Sequence, residues 1–254
     1  MEILNSILKS IKEDVPVKDV RRGLNWTAVV SRRVGLASSM AQGNGCSHDQ
    51  TESMEGSFTE MTALGLARYC FDNNTTKASL GLAAINSLLD IDPRRYADVD
   101  GLQIAKDMGK GKNISVIGHF PNMEVLASQA KNFWVIEKRP RPGDYPEEER
   151  DVLLPQSDIV VISSTTLINH TLSGILELCR EGSVKMLLGP STPLSDTLFE
   201  YGIDVLAGSV VIQNDVVLRS VSEGASFMQL KKRGGVRFVT IIRDYDDIVR
   251  RLAE

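Results

Sequence analysis

The chain has 254 residues, 42% of them hydrophobic and 24% charged. That composition supports a packed core, excludes general disorder and, at roughly 100 to 150 residues per domain, predicts two modest domains. A formal net charge of −4, with basic residues scattered along the chain, leaves no footprint for nucleic acid. No apolar run reaches the ~20 residues needed to span a bilayer, so no membrane role is expected. Cys46, Cys70 and Cys179 are odd in number and lack C-x-x-C spacing, which fits a reducing compartment and a cytoplasmic location.

Met1–Asp14 carries Ile3, Leu4, Ile7, Leu8 and Ile11 at helical spacing, which predicts an amphipathic helix. Asn25–Ser31 and Val34–Ser39 read as two short strands joined at Arg32-Arg33, a hairpin pattern. Ala41–Ser57, with three glycines, predicts a long loop of the kind that carries function. Helices are expected over Phe58–Phe71 and Lys77–Leu89, the second apolar around its circumference except at Asn86. Asp98–Lys112, with its Gly-Lys-Gly-Lys run, reads as a passage between domains and places the boundary near residue 110.

Strand and helix then alternate. Strands are expected at Ile114–Ile117, Phe133–Ile136, Ile159–Ile162 and Val184–Leu188, with helices from Pro121 and over Leu167–Cys179. A helix at Leu194–Tyr201 closed by Gly202, a strand at Asp204–Ala207, helix over Gly224–Lys232 and a last strand at Val236–Ile242 follow. This order implies a doubly wound, mainly parallel sheet, and the near-continuous apolar strands imply cover on both faces. The expected organisation is a small α+β domain over residues 1–110 and a Rossmann-like α/β domain over residues 111–254.

In such sheets ligands bind beyond the carboxyl ends of the strands, where connections diverge. Three loops qualify. The first is Gly118-His119-Phe120-Pro121, which sits where a dinucleotide fingerprint would but lacks its later glycines. Pro121 suits a first helical turn, and His119 beside that helix N-terminus is expected neutral, as an acid/base group or as a packed residue. Glu137 lies nineteen residues after Gly118, at the offset of a ribose-binding acid, and it could equally pair with Lys138, Arg139 or Arg141. The second loop supplies Ser163, Ser164, Thr165, Thr166, Asn169 and His170, whose hydroxyls hold an anion or cap a helix. The third supplies Gly189, Ser191 and Thr192. In the N-terminal half, Cys46 and His48, with Asp49, Glu52 and Glu55, bring metal-ligand types into ten residues without a zinc spacing.

With these residues in place, NWTAVVS, VGLASS, SLGLAAINSLL, ISVIGHFP, SDIVVISSTTLINHTL and MLLGPSTP together make the chain resemble the DUF364 family, a family associated with heavy-metal chelation, with its N-terminal domain DUF4213. The resemblance spans most of the chain. It implies an enolase-N-terminal-like α+β domain, a Rossmann-like domain with partial similarity to methyltransferases, and an interdomain cleft. It further implies a role in metal homeostasis or in making a chelating, pterin-like or flavin-like compound.

The leading expectation is a protein that binds a small polar ligand or metal chelate, with condensation or hydrolysis as its chemistry if it is an enzyme. His119 is then the catalytic candidate. Gly118, Phe120, Glu137, Ser163–Thr166, Asn169, Gly189, Ser191, Thr192, Asn44 and Asn86 are the binding candidates. One alternative is a methyltransferase using an adenosyl-type cofactor. The other is a non-enzymatic module holding a transition metal or its chelate through His119, His170 and the Cys46/His48 loop. The sequence is compatible with a homo-oligomer.

Overall fold

The computed structural model describes residues 1–40 and 56–253. Asn44, Cys46 and His48, with the rest of the predicted loop up to residue 55, lie outside the described residues. Two compact units are present: residues 1–91, 167–169 and 209–237 form one, and residues 92–166, 170–208 and 238–254 the other.

The first unit begins with α1 (Glu2–Ser10), which buries Ile3, Leu4 and Ile7. β1 (Asp19–Arg22), β2 (Trp26–Val30) and β3 (Val34–Ser38) form an antiparallel sheet, with Val30 opposite Val34 at the expected hairpin. β1 escapes sequence reading because Asp19, Arg21 and Arg22 leave it no apolar stripe. The helix predicted over Phe58–Phe71 is broken. Its middle alone is α-helical, as α2 (Ala63–Ala67), between 3-10 turns at Phe58–Glu60 and Arg68–Phe71. The Thr62 hydroxyl accepts from Gly65 N and starts α2 inside the apolar run, so periodicity alone could not find the break.

α3 (Thr75–Leu88) is capped by Asn74 and is buried around almost all of its circumference. It lies so close to the sheet that a Cβ on Gly35 would sit 2.2 Å from both Ala83 O and Ser87 N. Asn86 Nδ2 donates to Leu36 O at 2.8 Å, tying α3 to β3.

The second unit is built on a seven-stranded sheet. In chain order its elements are α4 (Gly101–Met108), β4 (Asn113–Ile117), α5 (Met123–Ala127), β5 (Asn132–Glu137), β6 (Tyr145–Pro146), α6 (Arg150–Leu153), β7 (Ile159–Ser163), α7 (Thr165–Ile168), α8 (Leu172–Leu178), β8 (Val184–Leu188) and β9 (Val205–Val211). After α9 (Asn214–Ser222) and α10 (Phe227–Lys232) come β10 (Val236–Ile242) and α11 (Tyr245–Ala253). The order across the sheet is β10-β9-β8-β7-β4-β5-β6, and the pairs from β9 to β6 are parallel. The mixed α/β class, with a mainly parallel sheet and a smaller antiparallel one, is the class the sequence predicts.

Ile114, Val116, Ile159, Val161, Val184, Met186 and Val205 form one buried face with Ile104, Ala105, Leu126 and Ile248. The alternate residues Val160 and Ile162 point the other way and are equally buried. Both faces are therefore covered, as near-continuous apolar strands require.

Four expectations change here. Residues 98–112 are not a bare passage: Asp100 caps α4, whose Ile104 and Ala105 enter the sheet core. The charged and glycine-rich tail of that segment hides the short helix. Pro121 does not occupy a first helical turn, because α5 starts at Met123 behind Asn122, which is left-handed at φ 60°. The helix expected over Leu167–Cys179 is two short helices parted at His170, also left-handed at φ 59°. Leu194–Tyr201 reduces to a 3-10 turn at Asp196–Tyr201, closed as expected by left-handed Gly202.

Residues 209–237 cluster with the first unit. A Cβ on Gly23 would meet Val221 O at 2.0 Å, and Asn25 Nδ2 donates to Gly224 O at 3.0 Å, so α9 lies tightly on the loop between β1 and β2.

Candidate functional site

β4 starts the sheet of the second unit. The chain passes outward to β5 and β6 on one side and returns to β7, β8 and β9 on the other, so the connections diverge between β4 and β7. The carboxyl ends of these two strands hold the first two predicted loops. Gly118, at φ 96°, is required there on two counts. Few other residues take that conformation, and a Cβ would come within 3.0 Å of Ser163 Cβ on the neighbouring loop.

His119 is half-buried, and its ring lies between two carboxylates. Nδ1 is 2.9 Å from Glu137 Oε1, and Nε2 is 3.3 Å from Asp144 Oδ2. Glu137, at the end of β5, therefore pairs with His119 and not with the basic side chains that follow it, while its Oε2 accepts from Lys138 N at 3.2 Å. An ionised carboxylate only accepts, so the ring serves both partners only when both nitrogens carry protons. The helix-terminus argument for a neutral His119 does not apply, since α5 begins four residues later and has only five residues.

Asp144 is a partner that no sequence pattern marks. Its side chain is 8% exposed, and its Oδ2 also accepts from Arg141 N at 2.7 Å, within a turn whose Gly143 has φ 96°. The turn folds the stretch after β5 back onto the β4 loop. The Arg-Pro-Gly-Asp sequence signals that turn, but nothing local shows that the carboxylate meets His119.

The hydroxyls of the second loop are largely committed to the loop itself. Ser163 Oγ and Thr165 Oγ1 are 2.8 Å apart, and Thr166 Oγ1 donates to Ser163 O at 2.7 Å. Ser164 is buried, and its N–H donates to Leu188 O at 2.8 Å. The third loop closes on the second: a Cβ on Gly189, at φ 130°, would sit 2.6 Å from Ser164 Oγ. Ser191 is fully buried, and the buried Thr192 Oγ1 has no hydrogen-bond partner among the described residues. Gly118, His119, Glu137, Ser163–Thr166, Gly189 and Thr192 thus gather at one end of the sheet in the second unit. Phe120 packs against the sheet core. Asn86 belongs to the first unit, as does Asn169.

Metal-ligand types meet at His119, Glu137 and Asp144, yet each ring nitrogen faces a carboxylate. Among the described residues no three His, Cys, Asp or Glu side chains are placed to hold one ion. Neither Cys70 nor Cys179 is in a disulfide, and burial pushes their thiols up to about 12 and about 11. Thiols held protonated are poor ligands and nucleophiles.

A raised thiol pKa favours the neutral form in the fold. The contribution of Cys70 to stability is therefore complete below its ordinary 9.0 and is lost as pH rises towards about 12. Urea midpoints measured from pH 8 upward should fall with pH in the native chain, and fall less in Cys70→Ala.

A model of the DUF364 family, described as "Putative heavy-metal chelation", matches residues 100–240, and one of DUF4213, with the same description, matches residues 4–89. An uncharacterized protein of Methanocaldococcus jannaschii is 29% identical over 160 residues, 60% of this chain and 62% of the relative, so the chain spans under two-thirds of that protein's length. A DUF364-family protein of unknown function from Desulfitobacterium hafniense, known as a crystal structure, has a TM-score of 0.79 at 28% identity, covering 95% of this chain and 98% of that one. Another from Pyrococcus horikoshii has a TM-score of 0.81 at 21% identity, covering 94% and 99%, and supports the fold alone. Among the described residues no helix is long and apolar enough to cross a membrane.

Proposed function

The chain belongs to the DUF364 family, with a DUF4213 region in its N-terminal part, and on that premise we propose that it binds a small polar organic ligand at the carboxyl ends of β4, β5, β7 and β8. The ligand is a metal chelator or its metal complex, and the setting is cytoplasmic metal handling or chelator synthesis. The observation that carries the reading is His119 held between Glu137 and Asp144 beside the point where the sheet connections diverge. This arrangement offers a partly exposed carboxylate and an imidazole with its orientation set by a buried partner. Groups of this kind hold polar ligands by hydrogen bonds and pass protons to them. Glu137 already accepts from His119 and Lys138 N, which favours this reading over a ribose-binding acid of an adenosyl cofactor.

Thermal melts of the full chain test it. The probes are gallium complexes of citrate, a catecholate and a pterin, each chelator alone, gallium alone and S-adenosylmethionine. A complex present at about a hundred times its Kd stabilises by about 2.7 kcal/mol, so at least one should raise the Tm by several degrees. His119→Asn, which keeps a polar side chain and removes the ring, should abolish most of that rise. No shift with any chelator or complex, or an undiminished shift in His119→Asn, would overturn the reading. A shift with S-adenosylmethionine alone would replace it.

A further inference from the structure

A concavity of about 490 Å³ lies along α9 and the end of α10 in the first unit, lined by Asp215, Val216, Arg219, Ser220, Glu223 and Arg233. Its volume is in the range of small-molecule sites. Two of its charges are settled. Arg233 Nη1 donates to Ser220 Oγ and to Glu223 Oε2, each at 2.9 Å, and Ser220 is fully buried, so this guanidinium is anchored with its remaining edge uncommitted.

The other two are not settled. Asp215 and Arg219 stand one helical turn apart on α9, a spacing at which oppositely charged side chains ordinarily pair. Here neither makes a hydrogen bond or ion pair with any described side chain. The elements that carry them are held in place. The Ser226–Gln229 capping box starts α10, Gln213 Nε2 donates to Gly234 O at 3.2 Å, and Gly235 packs so closely on Val217 that a Cβ would lie 2.7 Å from its Cγ2.

We propose that this cleft binds a small zwitterion of the amino-acid class. Its carboxylate lies against Arg219 and the uncommitted edge of Arg233, and its ammonium group against Asp215. A guanidinium held in place is suited to a carboxylate because its planar donors match the two oxygens. A simple dianion such as phosphate fits the lining less well, since the Asp215 and Glu223 carboxylates face the same space.

Calorimetric titration of the full chain with glycine, alanine, glutamate and lysine decides it, with acetate, methylammonium and inorganic phosphate as partial probes. At least one amino acid should bind saturably with a Kd of about 1 mM or tighter, while acetate and methylammonium do not. Arg219→Gln and Asp215→Asn alter exposed side chains, so both variants should keep the ligand-free Tm, and each should weaken binding by about tenfold or more. Saturable binding of phosphate alone, binding of no amino acid, or affinity unchanged in Arg219→Gln would overturn the proposal. These outcomes are independent of the chelate melts, which concern the other unit.

Discussion

Asp204→Ala should cost the sheet unit about 3–5 kcal/mol, the range for removing one member of a buried ion pair. The Asp204 side chain is 5% exposed, and its Oδ1 lies 2.5 Å from Arg251 Nη2. Its Oδ2 accepts from Lys185 N at 2.9 Å at the start of β8. Arg251 is 18% exposed and also donates to Ser183 O at 3.0 Å and to Asp247 Oδ2 at 2.9 Å, so this network fastens α11 to the amino ends of β8 and β9. Removing the carboxylate leaves the buried Lys185 N–H without its acceptor and takes the most buried partner from the Arg251 guanidinium. Asp204→Asn keeps an acceptor for Lys185 N and should lose less. Urea unfolding measures both, and a loss under about 1 kcal/mol in the alanine variant would show that the network is ornamental.

Gly35→Ala should be comparably damaging to the first unit. The added methyl would lie 2.2 Å from two backbone atoms of α3, Ala83 O and Ser87 N, neither of which can rotate aside. Overpacking against side chains typically costs 1–3 kcal/mol, and a clash with backbone at this distance should reach about 3 kcal/mol or more, because β3 or α3 must move bodily. The substitution should lower the Tm sharply or leave the chain insoluble, whereas Gly174→Ala, which meets nothing within 4 Å, should be close to neutral. Equal stability of the two variants would mean that β3 and α3 are not packed as described.

The strands of the parallel sheet are legible because burial on both faces demands runs such as Ile159–Ile162, which few other contexts tolerate. α3 is legible for the same reason. What sequence reading loses are short elements whose identity depends on distant partners. α11 mixes charged and apolar residues over nine positions, and only Ile248 is fully buried, so its attachment rests on that one core side chain and on the Arg251–Asp204 pair 47 residues apart in the chain. α4 is masked by the lysines and glycines that follow it, although the Asp100 cap marks its start.

The site shows the same division. Gly118, His119 and Glu137 stand at the strand ends where the sequence places them, and the hydroxyls of Ser163 and Thr166 are engaged within their own loop. Asp144 is lost because it lies in a charged, proline-rich stretch with no periodicity. Only the fold of that stretch onto the β4 loop gives it a role.

A side-chain ¹H–¹⁵N spectrum of the full chain, which has three histidines, tests the centre of the account. Signals of His119 are assigned by their loss in His119→Asn. The ring Nδ1 should carry a proton held by Glu137 and slowed in exchange with water, and that signal should move when the gallium complex that stabilises the chain is added. An unprotonated Nδ1, or a His119 signal indifferent to a complex that raises the Tm, would contradict it.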